Sequence, residues 1–201
     1  MRIFRTRLVV DRSVDVVELR RYTLHPGTRD TLIELFDREF VETQEAVGCD
    51  VLAQFRDLDR PDAFVWLRGF ESMATRSRAL EAFYSGPVWA EHRAAANATM
   101  IDSDNVLLLR PAEGGPRLTH DVSRRPPVGA SERDATLWVT ISAEPLAGDA
   151  LARFVTEHAK NDFPGLPVRE DVDVAVALWR AEPPQAAETL RLGPTSRSLL
   201  P

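Results

Sequence analysis

The sequence predicts an α+β fold made of two successive ferredoxin-like (split βαβ) units, the second of them shortened. Three observations support this fold. Along residues 16–110 the spacing of apolar residues is typical, in turn, of a strand, a helix, two strands, a helix and a strand. Residues 112–134 are rich in glycine, proline, serine and charge without an apolar period, which is typical of a linker. After this linker the strand patterns continue, with less room for connecting helices.

These patterns divide the chain of 201 residues into four parts. We expect a tail over residues 1–14, a ferredoxin-like domain over 15–111, a linker over 112–134 and a second, shortened unit over 135–201. A chain of this length can bury about 70 % of its unfolded surface, so a substantial core is expected.

The strands of the first unit are predicted from runs in which apolar and other residues alternate. These runs cover residues 16–22, 49–58, 63–70 and 106–110. Pro61 lies in a predicted hairpin turn between the second and third strands, and the polar residues 102–105 predict a turn before the fourth.

Both helices of the first unit are predicted from apolar residues at three- and four-residue spacing. The first covers residues 30–46 and ends at Gly48. The second pattern begins after Ser72, a good N-cap residue, is interrupted at Gly86, and resumes at Pro87.

The second unit repeats this pattern incompletely. Residues 135–142 alternate as a strand, and residues 147–158 predict a helix. Further strands are expected at 172–181 and 189–192, with room only for a turn between them.

Composition excludes several classes of protein. The net charge is −6 and the arginines are scattered, so no phosphate-binding patch for nucleic acid is expected. No window approaches the about 20 apolar residues that span a bilayer, and the amino terminus lacks the apolar core of a signal peptide. The single cysteine, Cys49, favours the reducing cytoplasm and is more simply a buried strand residue than a nucleophile.

A two-helix, four-stranded layer covers only one face of its sheet, so the other face needs a cover. We expect the aliphatic side of the strands to face the helices (Val17, Leu19, Val51, Ala53, Phe55, Val65, Leu67, Leu107 and Leu109). The opposite side is then expected to line an enclosed interior (Glu18, Arg20, Tyr22, Gln54, Arg56, Trp66, Arg68, Phe70 and Leu108).

Three arginines cannot lie unpaired in such an interior, because burying a charge without a partner costs several kcal/mol. One interpretation is an ion-pair network in which Glu18 binds Arg20 or Arg68 and fixes the register of a dimer. The other is a pocket in which Arg68 and Arg20 hold a carboxylate, enolate or phenolate. In that pocket the substrate-binding residues are Trp66, Phe70, Gln54, Arg56 and Glu18.

The helical hairpin supplies further candidates. His92 is the best acid/base candidate of the four histidines, since its ordinary pKa suits proton transfer at neutral pH. Trp89 would exclude water and Asn97 would hydrogen-bond a ligand, although both residues can be purely structural. Tyr22 either donates a hydrogen bond to a developing oxyanion or plugs the end of the barrel.

Motifs for metals and cofactors are not found in the sequence. His120 and Asp121 lack neighbouring ligands, and we expect no metal site. No glycine-rich phosphate loop, CxxC, HExxH or GxSxG occurs, so no cofactor is expected.

Several segments, in one order, resemble the NIPSNAP family: ELRRYTLHPG, FRDLDRPDAFVWLRGF, AFYSGPVWAEHRAAANATMIDSDNVLLLRP and LRLGPTSRSLL. The resemblance covers about residues 16–111 most closely. It implies the dimeric α/β-barrel fold, in which two ferredoxin-like units close their sheets around a shared interior, and hence a homodimer. The carboxy-terminal extension leaves open whether the barrel closes within one chain or between two. The family is functionally diverse, and the resemblance carries over no catalytic residues.

Three functions are compatible with these features. The first is a cofactor-independent enzyme that oxygenates, isomerises or cyclises a small aromatic or polyketide-like metabolite, with His92 moving a proton and Arg68, Arg20 and Tyr22 stabilising an anion. The alternative is a non-catalytic small-molecule-binding or homo-oligomeric scaffold protein. A third is a haem protein that uses His92.

Overall fold

The computed structural model describes residues 13–201. The predicted tail over residues 1–14 therefore lies outside the described residues except for its last two. Val14 is buried, and its side chain lies against Gly69 in the adjoining strand.

The first half has the predicted order of elements. Its strands are β1 (Val16–Leu24), β2 (Asp50–Asp57), β3 (Ala63–Phe70) and β4 (Met100–Pro111). Its helices are α1 (Arg29–Leu35), α2 (Val41–Ala46), α3 (Met73–Tyr84) and α4 (Pro87–Asn97). A π-helical turn, Phe36–Phe40, joins α1 to α2, so the predicted first helix is continuous but widened in its middle.

Two local predictions concern caps and turns. Ser72 caps α3 as expected, because its side chain accepts a hydrogen bond from the backbone N–H of Thr75 at 3.1 Å. The turn predicted over residues 102–105 is wrong, since these residues belong to β4 and Asn105 pairs with Arg21 of β1. They lie where the strand runs beyond the core, so their polar side chains resemble turn chemistry.

The second half consists of β5 (Leu137–Ser142), β6 (Ala152–Thr156), β7 (Ala175–Trp179) and β8 (Glu188–Pro194). The helix predicted over residues 147–158 is wrong, because β6 occupies its centre. Pairing of β6 with β7 on one side and β4 on the other satisfies its backbone and overrides the local pattern. Residues 135–201 contain no helix, so the predicted second split βαβ unit is not confirmed.

The eight strands of the described residues form one closed antiparallel barrel in the order β1-β3-β2-β8-β5-β7-β6-β4. Within each half the first strand lies between the third and the fourth, and the second lies outside the third. The halves meet along two seams, β2 with β8 and β4 with β6. The barrel therefore closes within a single chain.

The interior of the barrel is mainly aliphatic. All eight strands contribute buried residues to one hydrophobic cluster, including Val17, Leu19, Phe55, Val65, Leu67, Leu107, Leu109, Leu137, Val139, Phe154, Val176, Leu178, Leu190 and Leu192. The predicted orientation of the first sheet is thus inverted, because its aliphatic face lines the barrel and its aromatic, charged face lies under the helices. Val51 is the exception. A register shift after it leaves Val51 on the helix side, while Leu52 and Ala53 enter the barrel core.

The segment over residues 112–134 is irregular apart from a short 3-10 turn, Val122–Arg124. It is nevertheless attached to the barrel. Arg125 donates to the backbone oxygen of Arg197 at 2.7 Å and pairs with Glu45 at 2.5 Å. Among the described helices, none has the length and apolar character needed to cross a bilayer.

Candidate functional site

The most unusual feature of the molecule is a glutamate surrounded by three buried arginines. Glu18 Oε2 accepts hydrogen bonds from Arg20 Nη1 at 2.6 Å and Arg68 Nε at 2.7 Å. Glu18 Oε1 accepts from Arg76 Nε at 2.7 Å. All four side chains are 0–1 % exposed. Such a cluster removes four charges from water, so the ion pairs among them must offset the lost hydration.

Strand register brings these side chains together. Glu18 of β1 lies directly opposite Arg68 of β3, and Arg20 lies opposite Trp66 two residues further along the same face. Arg76 reaches the same carboxylate from α3, which packs over this face of the sheet. The cluster thus joins the sheet to the helical hairpin formed by α3 and α4.

The charges of the cluster stabilise one another. Burial alone would raise the pKa of Glu18, but Arg68, Arg20 and Arg76 outweigh it and hold that pKa far below its ordinary value. Burial alone would lower the pKa of Arg68, but attraction to Glu18 raises it well above its ordinary value. Glu18 is therefore a fixed anion that positions the arginines, and it is not a proton acceptor at neutral pH.

The cluster has more positive than negative charge. Among the described residues, the other carboxylate bound to it is Asp162, whose Oδ1 accepts from Arg76 Nη1 at 2.6 Å. Three guanidinium groups thus face two carboxylates. Arg68 Nη2, Arg76 Nη2 and Trp66 Nε1 are buried without a hydrogen-bond partner among the described residues. One positive charge and three donors therefore remain for an additional acceptor.

An aromatic cavity lies beside this cluster, between the sheet and the helices. Its lining comprises Tyr22, Leu32, Phe36, Phe40, Gln44, Trp66, Phe83, Tyr84, Trp89, Ala96 and Met100. The enclosed volume is about 30 Å³, which holds a water-sized group. A larger ligand can enter only if a wall moves.

Two tyrosines connect the cavity to the arginines. Arg20 Nε donates to the Tyr22 hydroxyl at 3.0 Å. Arg68 Nη1 lies 3.5 Å from the Tyr84 hydroxyl and 3.4 Å from Gln44 Oε1. Burial raises the pKa of Tyr84, so this phenol stays protonated at neutral pH. The lining thus offers phenol donors whose oxygens are polarised by cations behind them.

Trp66 organises the cationic end of the cavity. Its ring lies 5.6 Å from the Arg20 guanidinium carbon and 5.2 Å from that of Arg68. It also contacts Phe36 and Tyr22 edge to face, with ring centroids 4.8 and 6.0 Å apart. These cation–π contacts hold the two guanidinium groups against an aromatic wall.

The structure brings together most of the site residues that the sequence singled out. Glu18, Arg20, Tyr22, Trp66 and Arg68 form one contiguous group. Phe70 borders it, with its ring 5.7 Å from the Arg68 guanidinium, and Trp89 lines the cavity.

Three predicted residues lie elsewhere. Gln54 donates to Asp37 Oδ1 at 2.6 Å, near the first helix. Arg56 pairs with Asp30 at 3.0 Å and Glu132 at 2.6 Å. Asn97 is exposed at the end of α4. None of the three lines the aromatic cavity.

His92 lies on the outer side of Phe40, 6.4 Å from it between ring centroids, and does not line the cavity. Its Nε2 is 3.5 Å from Glu39 Oε2. Its role in proton transfer therefore stays a prediction. A haem ligated by His92 does not fit the site, because this imidazole lies outside the cavity and faces Glu39.

Sequence reasoning missed Arg76, Tyr84, Gln44 and Asp162. Arg76 could have been identified from the sequence. It lies between Met73 and Leu80 on the apolar face of α3, where a charged side chain needs a buried partner. Nothing in the sequence points to Asp162, since its contact with Arg76 depends on the path of a long irregular segment.

Cys49 does not add a reactive group. It is buried, and burial raises the pKa of its thiol to about 12. Within residues 13–201, no three His, Cys, Asp or Glu side chains are grouped as metal ligands would be.

Comparison with known proteins places this site within a family. Residues 17–116 match the model of the NIPSNAP family. The chain belongs to the NIPSNAP family through this segment. The arginine cluster and the cavity lie inside the NIPSNAP segment, whereas Asp162 lies outside it. A search of curated proteins finds no match.

Solved structures similar to this NIPSNAP chain cover about half of it. An uncharacterised NIPSNAP-like domain protein from Burkholderia xenovorans is 25 % identical, with a TM-score of 0.46 over 56 % of this chain and 92 % of its own. A NIPSNAP family protein of unknown function from Agrobacterium tumefaciens is 17 % identical, with a TM-score of 0.47 over 51 % and 93 %. A protein from Chloroflexus aurantiacus described as a putative antibiotic biosynthesis monooxygenase is 22 % identical, with a TM-score of 0.40 over 49 % and 94 %.

Proposed function

We propose that this NIPSNAP chain binds a small anionic metabolite with an aromatic or polyketide-like body in the cavity between its first sheet and its helices. We further propose that it acts on this metabolite as a cofactor-independent enzyme. One observation carries the proposal: a buried cluster with an unbalanced positive charge and three unpartnered donors borders an aromatic cavity.

The two ends of the cavity suit different parts of such a ligand. Phe36, Phe40, Phe83 and Trp89 offer an apolar wall for a ring or a short chain. Arg68 and Trp66 offer donors for a carboxylate, enolate or phenolate. Desolvated donors of this kind stabilise negative charge more strongly than water does.

This arrangement supports reactions that proceed through an anion. In an isomerisation, a proton leaves a carbon next to a carbonyl, the electron pair moves onto the oxygen, and a proton returns at another atom. The cluster and the phenols of Tyr22 and Tyr84 would stabilise that oxygen anion. Cyclisation uses the same anion as a nucleophile, and oxygenation would require dioxygen as a co-substrate. His92 is the proposed proton carrier, and it reaches the ligand only if α4 shifts.

A non-catalytic binding protein is the second candidate, and the cavity itself favours it. The interior of the barrel is filled by mainly aliphatic side chains, and among residues 13–201 no histidine or carboxylate lines the cavity. A site with donors and no proton acceptor can bind an anion without changing it.

Binding is tested with benzoate, the simplest aromatic monoanion, by isothermal titration calorimetry. We expect saturable binding to the wild-type chain and a loss of at least tenfold in Trp66→Phe and Arg68→Met, which remove unpartnered donors. Arg21→Met is the matched control, because Arg21 pairs with Glu188 at 2.5 Å away from the cavity. Absence of binding to a folded wild-type chain contradicts the proposal.

Catalysis is tested separately with phenylpyruvate, an aromatic monoanion that can enolise. An enzyme of the proposed type accelerates deuterium incorporation from solvent at the carbon beside the carbonyl, measured by proton NMR. Binding without acceleration by this chain selects the non-catalytic alternative.

A homodimer and a cytoplasmic location also stay proposals. The homodimer was expected because a single ferredoxin-like sheet leaves one face bare, and the second half of the same chain covers that face. A dimer would therefore use an outer surface of the barrel. Light scattering after gel filtration measures the mass directly.

A further inference from the structure

The segment between β6 and β7, residues 157–174, crosses from the second half of the barrel onto helix α3. Its Asp162 Oδ1 and Asn161 Oδ1 accept from Arg76 Nη1 at 2.6 and 3.1 Å. Phe163 stacks on Tyr84, with ring centroids 5.9 Å apart and planes inclined by 30°. Leu166 and Val168 pack against the cluster that contains Phe70 and Leu80. The second half therefore contributes directly to the site proposed above.

The two carboxylates of the cluster differ in kind. Glu18 is fully buried and accepts from three arginines, so its charge cannot be removed without stranding them. Asp162 is 32 % exposed, and within residues 13–201 its ion-pair partner is Arg76. Its charge balances one guanidinium from outside the NIPSNAP segment, and an amide at the same position would keep the hydrogen bond to Arg76.

The charge of Asp162 enters the charge balance of the cluster through Arg76. With Asp162 ionised, one positive charge in the cluster is left for a ligand. Without that charge, two would be left. Asp162 pairs with Arg76 of the cluster, and its neighbour Phe163 stacks on Tyr84, which lines the cavity, so the charge of Asp162 contributes to the electrostatic potential there.

We propose that Asp162 is a specificity-determining residue that restricts the site to singly charged anions and disfavours doubly charged ones. This inference rests on the proposed binding function. It adds the charge class of the ligand and assigns the selection to a residue of the second half.

A pair of probes of the same shape tests it. Benzenesulfonate carries one negative charge, and phenylphosphonate carries two at a mildly alkaline pH. Both are titrated into the full chain by calorimetry at that pH. We expect the wild-type chain to prefer benzenesulfonate. We expect Asp162→Asn to shift the preference towards phenylphosphonate by on the order of tenfold. Asp171→Asn is the control, because Asp171 is an exposed residue of the same segment.

The outcomes separate the two proposals. If neither benzoate nor benzenesulfonate binds a folded wild-type chain, the proposed function fails. If benzenesulfonate binds and Asp162→Asn leaves the ratio of the two affinities unchanged, the function stands and the role of Asp162 is overturned. A thermal unfolding midpoint for each variant shows whether a change in affinity reflects loss of folding.

Discussion

At the scale of single residues, Glu18 is the centre of the site. Its carboxylate is the shared acceptor of three arginines that would otherwise repel one another. Removing one partner of a buried ion pair is costly, because the remaining charges keep their desolvation penalty. The residue therefore has a structural role even if the cavity has a catalytic one.

Glu18→Gln is expected to destabilise the fold by about 3–5 kcal/mol, because an amide cannot balance three buried guanidinium groups. Urea unfolding followed by circular dichroism measures the change. Glu188→Gln is the control, since Glu188 pairs with Arg21 at a partly exposed position and should cost about 1 kcal/mol or less. Equal losses in the two variants would argue against a special role for the cluster.

The same residue predicts a dependence of stability on pH. The folded pKa of Glu18 is lowered, so its contribution is complete above the ordinary glutamate pKa and is lost as the pH falls below it. Between about pH 5 and about pH 3, the free energy of unfolding should therefore fall more steeply for the wild-type chain than for Glu18→Gln. Parallel curves would show that Glu18 is not held ionised by folding.

At the scale of elements, helices α3 and α4 form a hairpin in which α3 buries more side chains than α4 does. Helix α3 buries Arg76, Ala79, Leu80 and Phe83, whereas α4 buries only Ala96. Trp89 of α4 is a wall of the cavity. Since the closed cavity is too small for an aromatic ring, α4 is the wall expected to move.

Hydrogen exchange tests this motion. Backbone amides of α4 should exchange faster than those of α3, because fewer buried contacts resist local opening. Saturating benzoate should slow exchange in α4 and leave the distant strand β5 unchanged. Slow exchange in α4 of the free chain, as in α3, would show that the cavity does not open by this route.

At the scale of the whole molecule, the barrel is one closed sheet with one shared core, assembled from two different halves. Every strand has two neighbours, so the sheet has no free edge within the described chain. The barrel core contains residues from all eight strands. A cavity made in the second half should therefore weaken the first half as well.

Leu178→Ala places such a cavity at a fully buried position of β7 and is expected to cost about 2–5 kcal/mol. Hydrogen exchange of β1 and β3 in the first half should rise together with that of β5 and β7. Ile101→Ala is the control, because Ile101 is 58 % exposed on β4 and its removal should change stability by less than about 0.5 kcal/mol. Loss of protection confined to the second half would show that the halves fold independently.

Local patterns in the sequence determined the elements of the first half and the composition of the two faces of its sheet. Alternation along β1 and β3 placed Glu18, Arg20, Trp66 and Arg68 on one face, which the structure confirms. This alternation could not show which face of the sheet lines the barrel, because the same side chains share a face in either orientation of the sheet. The helix predicted over residues 147–158 was wrong for a related reason, since β6 owes its conformation to pairing with β4 and β7.

Only the tertiary structure decided where these residues act. Closure of the barrel within one chain depends on β2 pairing with β8 across more than 130 residues, a contact that no local pattern records. The same closure fills the interior with aliphatic side chains, leaves the charged face to the helices, and carries Asp162 onto Arg76. Residue spacing thus fixed which side chains share a face, while long-range strand pairing decided which face became the site.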